Sequence, residues 1–441
     1  KFRIVEHLQG VDSPEAYVMR VTRRRVEVEA TSEAGLYYGM QTLLQMVDAE
    51  GRIPCGVIKD EPRFDYRGMM LDVSRHFYDV DFVKKQIDAM AAYKLNHLHL
   101  HLTDAAGWRI EIERYPRLTE LAAWRTHHLW KDWWNGERRY VESDDPDSHG
   151  GYYTQADIRE IVDYAQQKYI TVIPEIEMPS HSEEVLAVYP ELSCSHESYK
   201  DSDFCIGNEQ TFEFLENVLS EVIALFPSEY IHIGGDEASK QSWKVCPQCQ
   251  ARMQQENLST VDELQSYLIH RIETYLNTHG RQLIGWDEIL DGGLAPRAIV
   301  MSWRGTQGGI YAAERGNDVV MTPMTLCYFN FYQTESREGE GLHIGGHIPF
   351  EKVYAWDPYA GFSEAAREHL IGVQCNLWTE YIKDMATIEV MLLPRLAAMA
   401  EAQWSTDRRD ESTIRAKMET MRRFYEACGW QCAPYYFDGR K

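Results

Sequence analysis

The chain of 441 residues lacks any run of about 18 apolar residues, the length that a helix needs to cross a membrane. Basic residues are also scarce, because 45 Lys and Arg stand against 69 Asp and Glu and give a net charge of −24. Nucleic-acid binders need a basic face. The sequence therefore predicts no membrane span and no nucleic-acid partner, and it favours a neutral or small substrate.

A second CxxC motif is absent as well. Cys246-Pro-Gln-Cys249 has this spacing, and no other two of the nine cysteines do. Because a zinc site of this type would want two such pairs, we interpret Cys246 and Cys249 as structural, either as a local disulfide or as two buried thiols. Cys194 and Cys205 bracket a loop and could also pair.

The chain has no signal peptide. It opens at Lys1-Phe-Arg-Ile-Val, which resembles the middle of a strand-rich domain. We expect an upstream segment to have been removed, so the missing leader carries little information about location.

Residues 1–62 predict a small α/β domain that is incomplete at its start. Val18–Val21 and Arg25–Glu29 alternate apolar and polar residues, as strands do. Residues Glu33–Val47 have the period of an amphipathic helix. Its predicted apolar stripe consists of Leu36, Tyr37, Met40, Leu43, Leu44 and Val47.

Residues 63–441 alternate strand and helix patterns, which is typical of a parallel α/β fold and here predicts a (β/α)8 TIM barrel with C-terminal helices. The eight predicted strands are Gly68–Asp72, Leu95–Thr103, Ile170–Met178, Tyr230–Asp236, Gln282–Trp286, Ala298–Trp303, Asp318–Thr322 and Gly372–Trp378. The predicted helices include Asp81–Tyr93, two that begin at capping boxes (Thr154 to Asp157 and Ser259 to Asp262), Ile388–Trp404 and Glu411–Cys428. Helices are short or absent between the fifth and seventh strands.

Chemically versatile residues cluster where these strands end. Catalytic residues of such barrels lie at the carboxyl ends of the strands, and here those ends carry acids, three Trp, an Arg, a His and a Tyr. Rim positions have no core to fill, so packing alone does not explain this set. Long insertions at residues 124–151 and 323–371 are expected on the same face.

Asp236 and Glu237 are the strongest catalytic candidates. An acidic helix start is the structural alternative, since a carboxylate stabilises the positive end of a helix by roughly 0.3–1 kcal/mol. That alternative does not explain Gly234 and Gly235, which leave room for a ligand to approach the backbone. We favour a general acid beside a second carboxylate that raises its pKa.

Two other sets have structural interpretations. His97, His99 and His101 face one side of the second strand, and we favour satisfied polar side chains over a metal site because no matching ligands follow. The insertion carries Trp124, Trp130, Trp133 and Trp134. These could line an outer sugar subsite or pack the loop onto the barrel, and the sequence favours neither.

Five motifs together resemble glycoside hydrolase family 20, the β-N-acetylhexosaminidases. They are Arg67-Gly-Met-Met-Leu-Asp-Val-Ser-Arg-His76, Leu98-His-Leu-His-Leu-Thr-Asp104, Gly107-Trp-Arg109, His232-Ile-Gly-Gly-Asp-Glu237 and Asn376-Leu-Trp378. The resemblance extends from about residue 15 to Trp404. It implies a retaining exo-glycosidase in which the substrate's own 2-acetamido oxygen is the nucleophile and an oxazolinium forms, with no metal and no organic cofactor.

The resemblance also implies roles for individual residues. Glu237 protonates the leaving oxygen and later activates water, and Asp236 accepts the acetamide N–H and stabilises the oxazolinium. Around them the implied substrate-binding set is Tyr328 at the acetamide oxygen, Trp286, Trp303 and Trp378 as pocket walls, Arg75 and Glu380 at ring hydroxyls, and Asp104 with His181 orienting the acid.

Asn330 departs from the family's commoner pattern, which has Asp near the C6 hydroxyl. A carboxylate there would repel an anionic substituent, whereas an amide would not. We therefore expect tolerance of 6-O-sulfated N-acetylglucosamine, although Phe331 follows where a cation would be wanted.

Two alternatives to monosaccharide release stay open. One is disaccharide release of the lacto-N-biosidase type, which needs a wider pocket. The other is a non-catalytic glycan-binding barrel, which would have no need of an intact acid pair. Glycan ends are the expected partners, and the resemblance places such proteins in the periplasm or outside the cell.

Overall fold

The computed structural model describes residues 1–48, 50–405 and 411–439. They form a closed eight-stranded barrel with a small four-stranded sheet domain in front of it. Within these ranges no helix combines the length and the apolar character needed to cross a membrane.

The small domain packs one helix on a mixed sheet of order β1-β3-β2-β4. Its strands are β1 (Phe2–Ile4), β2 (Tyr17–Val21), β3 (Val26–Ala30) and β4 (Gly56–Asp60). The helix α1 (Glu33–Gln45) begins at Ser32, whose hydroxyl accepts the Gly35 N–H.

The predicted apolar stripe of α1 is confirmed for Leu36, Tyr37 and Leu43, which pack half-buried against the core of the small domain, and it is wrong for the exposed Met40, Leu44 and Val47. The fully buried residues of the helix are Gly35, Tyr38, Gly39 and Gln41. The glycines lie against the sheet: a Cβ on Gly35 would be 2.4 Å from the Ala16 carbonyl oxygen, and one on Gly39 would be 2.6 Å from Val28 Cγ1. Close backbone approach at the two glycines therefore sets the centre of the buried face, and apolar periodicity predicts only part of that face.

All eight barrel strands are parallel and pair in chain order, and the last closes on the first. This confirms the predicted fold. The strands are β5 (Tyr66–Asp72), β6 (His97–His101), β7 (Thr171–Met178), β8 (Tyr230–Gly234), β9 (Gln282–Trp286), β10 (Ile299–Ser302), β11 (Val319–Met321) and β12 (Leu370–Leu377).

Helices cover the barrel between most strands. They are α2 (Val80–Ala92), α3 (Arg117–Glu120), α4 (Trp130–Asn135), α5 (Gln155–Gln166), α6 (Glu183–Val188), α7 (Glu209–Leu225), α8 (Gln241–Val245), α9 (Pro247–Gln255), α10 (Val261–Thr278), α11 (Gln307–Ala313), α12 (Met324–Cys327), α13 (Phe350–Tyr354), α14 (Met385–Leu392), α15 (Arg395–Trp404) and α16 (Glu411–Cys428). Between β9 and β10 there is only a 3-10 turn, as the short spacing predicts.

Two helix boundaries differ from the prediction. Thr260 and Glu263 form the capping box of α10, one residue beyond the predicted pair. The predicted helix Ile388–Trp404 is two helices, because Pro394 has no N–H to continue the hydrogen-bond ladder. By contrast, the capping box of Thr154 with Asp157 is confirmed.

The small domain contacts the end of the barrel opposite the rim. Arg67, near the start of β5, pairs with Glu15 at 2.7 Å, and Lys94, just before β6, pairs with Asp60 at 2.9 Å. Trp404 donates to Asp60 at 2.8 Å. Since these contacts lie at the amino ends of the strands, the small domain supports the barrel and leaves the carboxyl rim open.

Candidate active site

A pocket of about 290 Å³ opens at the carboxyl ends of the barrel strands. All eleven residues singled out from the sequence line it: Arg75, Asp104, His181, Asp236, Glu237, Trp286, Trp303, Tyr328, Asn330, Trp378 and Glu380. The structure thus brings all of these residues to one cavity, and their individual roles remain predictions.

Asp236 and Glu237 follow β8 on a tight left-handed turn. Gly234 and Gly235 have φ of 67° and 94°, and a Cβ on Gly234 would lie 1.8 Å from Glu177 Oε2. The glycines thus make room for the neighbouring side chains of Glu177 and Ile289, and the expectation that they admit a ligand stays a prediction. The helix-start alternative is also wrong, since α8 begins only at Gln241.

His181 lies between the two acids and a third carboxylate. Its Nε2 is 3.5 Å from Asp236 Oδ2 and 3.4 Å from Glu237 Oε2, and its Nδ1 is 3.4 Å from Asp104 Oδ1. His181 and Glu237 both have left-handed backbones, with φ of 53° and 50°. Such conformations cost about 1–3 kcal/mol each and concentrate at functional sites.

Charge in this cluster favours a protonated His181. Burial alone would lower the pKa of His181, but Asp104 and Asp236 outweigh it and raise the pKa well above the usual value. Burial alone would raise the pKa of Asp104, yet Arg75 and His181 hold it well below the usual range. The ionised Asp104 carboxylate is therefore paired with the cationic His181 imidazole.

Glu237 is ionised in the free protein. Its contact with His181 lowers the pKa of the carboxyl, and this outweighs the burial of a side chain that is still 59% exposed. The expectation that Asp236 raises the pKa of Glu237 is therefore wrong for the free state. The reason is that the imidazolium stands between the two acids and its attraction dominates.

Arg75 forms the cationic wall of the pocket. Its Nη2 is 2.5 Å from Asp104 Oδ2 and its Nη1 is 3.1 Å from Asp72 Oδ2, while Glu380 Oε1 lies 3.8 Å away. The guanidinium also stacks 5.1 Å from the centre of the Trp378 ring. These contacts hold a buried fork of N–H donors at one wall of the pocket.

Four aromatic side chains build the remaining walls. Trp303 and Tyr328 stack at 6.1 Å, and Trp378 lies 5.9 Å from Tyr328 and 5.8 Å from Trp286. Indole N–H groups fix two of them, because Trp286 donates to Glu175 at 2.8 Å and Trp303 donates to Glu288 at 2.8 Å. The result is an apolar box beside Asp236.

Comparisons with known proteins agree with this geometry. The model of "Glycosyl hydrolase family 20, catalytic domain" matches residues 64–407, and that of "Glycosyl hydrolase family 20, domain 2" matches residues 4–61. The chain belongs to glycosyl hydrolase family 20.

Named family 20 relatives are similar over most of the chain. A beta-hexosaminidase of Porphyromonas gingivalis is 44% identical over 90% of this chain and 52% of its own length, and one of Vibrio furnissii is 37% identical over 87% and 64%. The exo beta-N-acetylglucosaminidase of Vibrio harveyi, solved with N-acetylglucosamine, superposes with a TM-score of 0.87 at 33% identity, covering 98% and 68%. The chain thus spans about half to two thirds of the length of these two curated relatives.

The floor of this family 20 pocket is a buried polar network that the sequence reasoning did not assign. Glu175 accepts hydrogen bonds from His99 Nε2 at 2.9 Å, from His101 Nδ1 and from Trp286. Gln374 donates to the other nitrogen of His99, and His101 Nε2 lies 3.2 Å from Asp104. This confirms the interpretation of His99 and His101 as satisfied polar side chains.

Two further carboxyl groups under the family 20 pocket favour their neutral form. Burial, then the charges of Asp236 and Glu175, raises the pKa of Glu177 well above its usual value. Burial, then Asp236, raises the pKa of Glu288 to about 8. The signal that could have located Glu177 is its position at the end of β7, where the strand period places it on the inner side with Glu175.

The tryptophans of the insertion do not line the pocket. Trp133 is buried against Tyr140 and small residues of the rim, and Trp130 stacks on Trp134 at 5.1 Å. Of the two interpretations of these tryptophans, packing of the insertion onto the barrel therefore holds for Trp133. Trp130 lies 5.8 Å from Tyr381, the neighbour of Glu380.

Arg395 is a further residue of the site that was not predicted from the sequence. It is fully buried at the start of α15 and donates to the carbonyls of Phe329, Phe331 and Ile348, the last two at 3.1 Å. The carbonyls of Phe329 and Phe331 flank Asn330, and Phe329 directly follows Tyr328. Arg395 therefore positions the segment that carries both pocket residues, and a single charged side chain far along the chain gives no local pattern that predicts it.

We expect Arg395→Met to lower the free energy of unfolding by at least about 3 kcal/mol, since each buried carbonyl left without a donor costs roughly 1–3 kcal/mol. Urea denaturation measures the loss. Arg315→Met is the matched control, because Arg315 donates to one carbonyl at an exposed site. A loss equal to that of the control would contradict the positioning role.

The pH dependence of catalysis tests the ionisation of Glu237. The alkaline limb of kcat/KM reports the free enzyme and that of kcat reports the complex. A substrate that fills the pocket would cover Glu237, and burial raises a carboxyl pKa, so we expect the kcat limb at higher pH. His181→Asn should move the kcat/KM limb upward, because it removes the contact that lowers the pKa of Glu237. Coincident limbs in the unmodified enzyme would contradict this account.

Proposed function

We propose that this chain is the catalytic part of a retaining exo-β-N-acetylhexosaminidase. One observation carries the proposal: Asp236 presents a buried Oδ1 with no partner among the described residues, beside the aromatic box and within reach of the same imidazole as Glu237. An acceptor placed against apolar walls suits an acetamide, which combines an N–H group with a methyl group.

The proposed reaction uses the substrate's acetamide as nucleophile. When the sugar covers Glu237, the pKa of its carboxyl rises and it takes up a proton from water. The acetamide carbonyl oxygen then attacks the anomeric carbon while the bond to the leaving oxygen breaks and Glu237 gives that oxygen the proton. Asp236 accepts the acetamide N–H and its charge stabilises the oxazolinium, and the Tyr328 hydroxyl donates to the acetamide oxygen. Water, deprotonated by Glu237, then opens the oxazolinium from the face that the leaving group vacated. This second displacement retains the anomeric configuration.

Release of an aryl leaving group from an aryl N-acetyl-β-glucosaminide tests this function, with the anomer of the released sugar followed by proton NMR. We expect hydrolysis with first appearance of the β anomer. Absence of hydrolysis, or first appearance of the α anomer, would overturn the proposal. The steps take every proton and electron pair from the chain, the substrate or water, so we propose no metal or organic cofactor in the pocket.

The size of the pocket favours release of one sugar over release of a disaccharide. A cavity of about 290 Å³ lies at the low end of the roughly 300–1,000 Å³ that small-molecule pockets span. Ile344 and Gly345, from the second long insertion, close one side of it. A matched pair of aryl glycosides, one of N-acetylglucosamine and one of lacto-N-biose, decides between these functions, and we expect only the first to release its aryl group.

A glycan-binding protein without activity is the alternative from another class. The cationic His181 and its carboxylates argue against it, because holding charged groups together at a pocket floor is costly and a lectin gains nothing from it. Binding of N-acetylglucosamine with no turnover of any aryl glycoside would favour that alternative.

We further propose that the pocket accepts 6-O-sulfated N-acetylglucosamine. Asn330 is 3% exposed and lines the pocket with Phe331. A carboxylate in its place, about 4 Å from a sulfate, would repel it by about 4 kcal/mol at an effective dielectric of 20. Sulfated and plain aryl substrates should both be hydrolysed. Asn330→Asp should lower the rate on the sulfated substrate relative to the rate on the plain one. Complete rejection of the sulfated substrate by the unmodified enzyme would contradict this.

We propose a periplasmic or secreted location, where glycan ends are accessible. The family assignment and the proposed substrate are its only supports. Fractionation of source cells with an antibody to this chain tests it, and recovery in the cytoplasm alone would contradict it.

A further inference from the structure

Four cysteines far apart in sequence meet at one point beside the rim. Cys194 Sγ lies 3.7 Å from Cys249 Sγ, and Cys205 Sγ lies 3.7 Å from both Cys246 Sγ and Cys249 Sγ. All four sulfurs are within 4.8 Å of one another, and none forms a disulfide. Three of these side chains are buried and Cys194 is half-buried.

Each half of the cluster is assembled by local backbone structure. Ser193 and Phe204 pair in an antiparallel bridge, which closes the loop after β7 and places Cys194 and Cys205 diagonally across the bridge from each other. Cys246 caps α9, and Pro247 occupies its first turn, so Cys249 turns back toward Cys246.

The two halves approach as closely as backbone allows. A Cβ on Gly207 would lie 2.1 Å from the Gln248 carbonyl carbon and 2.3 Å from the Cys249 amide nitrogen. Only glycine permits this contact between the loop after β7 and the CxxC turn. The sulfurs therefore meet through a specific fit of two loops.

The sulfur separations match a metal tetrahedron. Zinc binds thiolates at about 2.3 Å, which sets tetrahedral sulfurs about 3.8 Å apart. A disulfide would need about 2.05 Å, so the observed 3.7 Å fits ligands of a shared ion. We propose that Cys194, Cys205, Cys246 and Cys249 bind one structural Zn²⁺ ion.

This proposal replaces the interpretation of Cys246 and Cys249 as a local disulfide or two buried thiols. That interpretation rested on the lack of a second CxxC motif, whereas the second pair of ligands, Cys194 and Cys205, comes from the two ends of a loop. Binding replaces four thiol protons with one zinc ion, and all four positions are filled by protein. The ion takes no part in the hydrolysis, because a closed tetrahedral site has no position for water or substrate.

The zinc site would link the two loops that carry the residues proposed to transfer protons. The loop after β7 carries Ser180 and His181 near its start, and the loop after β8 carries Asp236 and Glu237 near its start. Asp203, two residues before Cys205, accepts hydrogen bonds from Ser180 Oγ at 3.0 Å, Ser239 Oγ at 2.9 Å and the Lys240 N–H at 2.8 Å. Zinc at the cysteines would hold Asp203, and through it both loops, in register.

Metal analysis of the purified protein tests the site. The chain is produced in zinc-containing medium and purified without chelators or metal-affinity resin, and its metals are measured by plasma mass spectrometry. We expect about one zinc per chain, and X-ray absorption at the zinc edge should give four sulfur neighbours at about 2.3 Å. Both measurements use the unmodified protein, so they do not depend on the folding of a variant.

Substitutions then assign the ligands. Cys205→Ser with Cys249→Ser should remove the zinc and lower Tm by about 5 °C or more, given that about 1 kcal/mol moves Tm by a few degrees at this size. Cys55→Ser, at an exposed thiol, and Cys375→Ser, at a buried thiol of β12, are controls that should keep the zinc. Zinc retained in the double variant would overturn the assignment.

Three results on the unmodified protein would overturn the proposal. They are less than about 0.1 zinc per chain, iron in place of zinc (which the same sulfur tetrahedron also suits), or an intact mass that shows two disulfides among these cysteines. None of these results depends on hydrolase activity, so failure of the zinc site is distinguishable from failure of the proposed function.

Discussion

Glu237→Gln is expected to lower kcat/KM on substrates with poor leaving groups by about 10²–10⁴-fold, the contribution usual for general acid catalysis. The amide keeps the shape of the side chain but cannot give up a proton to the leaving oxygen. Activated aryl glycosides need less protonation, so their first step should be slowed much less. A series of aryl N-acetylglucosaminides of graded leaving-group pKa measures this difference as the slope of log kcat/KM.

The control for this variant is Glu338→Gln, which makes the same chemical change at an exposed position. It should leave the slope unchanged. A Glu237→Gln enzyme that retains near-normal activity on poor leaving groups would refute the acid assignment, and the proton would then have to come from another group at the rim.

Asp236→Asn is expected to lower kcat/KM by about 10²–10³-fold, comparable to removing one group that stabilises charge in a transition state. The amide does not offset the positive charge of the oxazolinium. Because that charge develops whatever the aglycone is, the loss should be similar across leaving groups. This pattern separates Asp236 from Glu237, whose loss should grow as the leaving group becomes poorer.

The control for Asp236→Asn is Asp132→Asn, which makes the same chemical change at an exposed position of α4. If Asp236→Asn showed the same steep leaving-group dependence as Glu237→Gln, the division of labour between the two acids would be wrong. Both variants remain suited to structural work, since each replaces a carboxylate by an amide of nearly equal volume.

The barrel and the position of the rim residues were predictable because the necessary information is local. Strand β9 is observed at the predicted residues Gln282–Trp286, and the other barrel strands differ from prediction by a few residues at their ends. Once the strand order is known, parallel pairing brings every carboxyl end to one face. The residues of the pocket follow from that rule together with the family motifs.

The errors arose where distant residues decide the outcome. The buried face of α1 depends on the fit of Gly35 and Gly39 against strands of the sheet, and periodicity carries no record of it. The pKa of Glu237 depends on His181, which arrives from another strand. Arg395 donates hydrogen bonds to the carbonyls of Phe329, Phe331 and Ile348, and strand β12 separates these residues from Arg395 in the sequence.

The cysteines illustrate the same limit. Spacing along the chain identified Cys246 and Cys249 as one unit, but the partners Cys194 and Cys205 join them only through the packing of the loops after β7 and β8. Pattern reasoning that asks for two identical motifs misses a site whose halves have different spacing. Three-dimensional proximity of the sulfurs was needed to combine them.

Participation of the substrate's acetamide is the central claim, and one comparison tests it most directly. The values of kcat/KM are measured for an aryl N-acetyl-β-glucosaminide and for the β-glucoside with the same aryl group. Well-aligned intramolecular attack corresponds to an effective molarity of about 10⁵–10⁸ M, so we expect the acetamido sugar to be cleaved and the glucoside to be left essentially intact. Equal rates on the two substrates would contradict the mechanism.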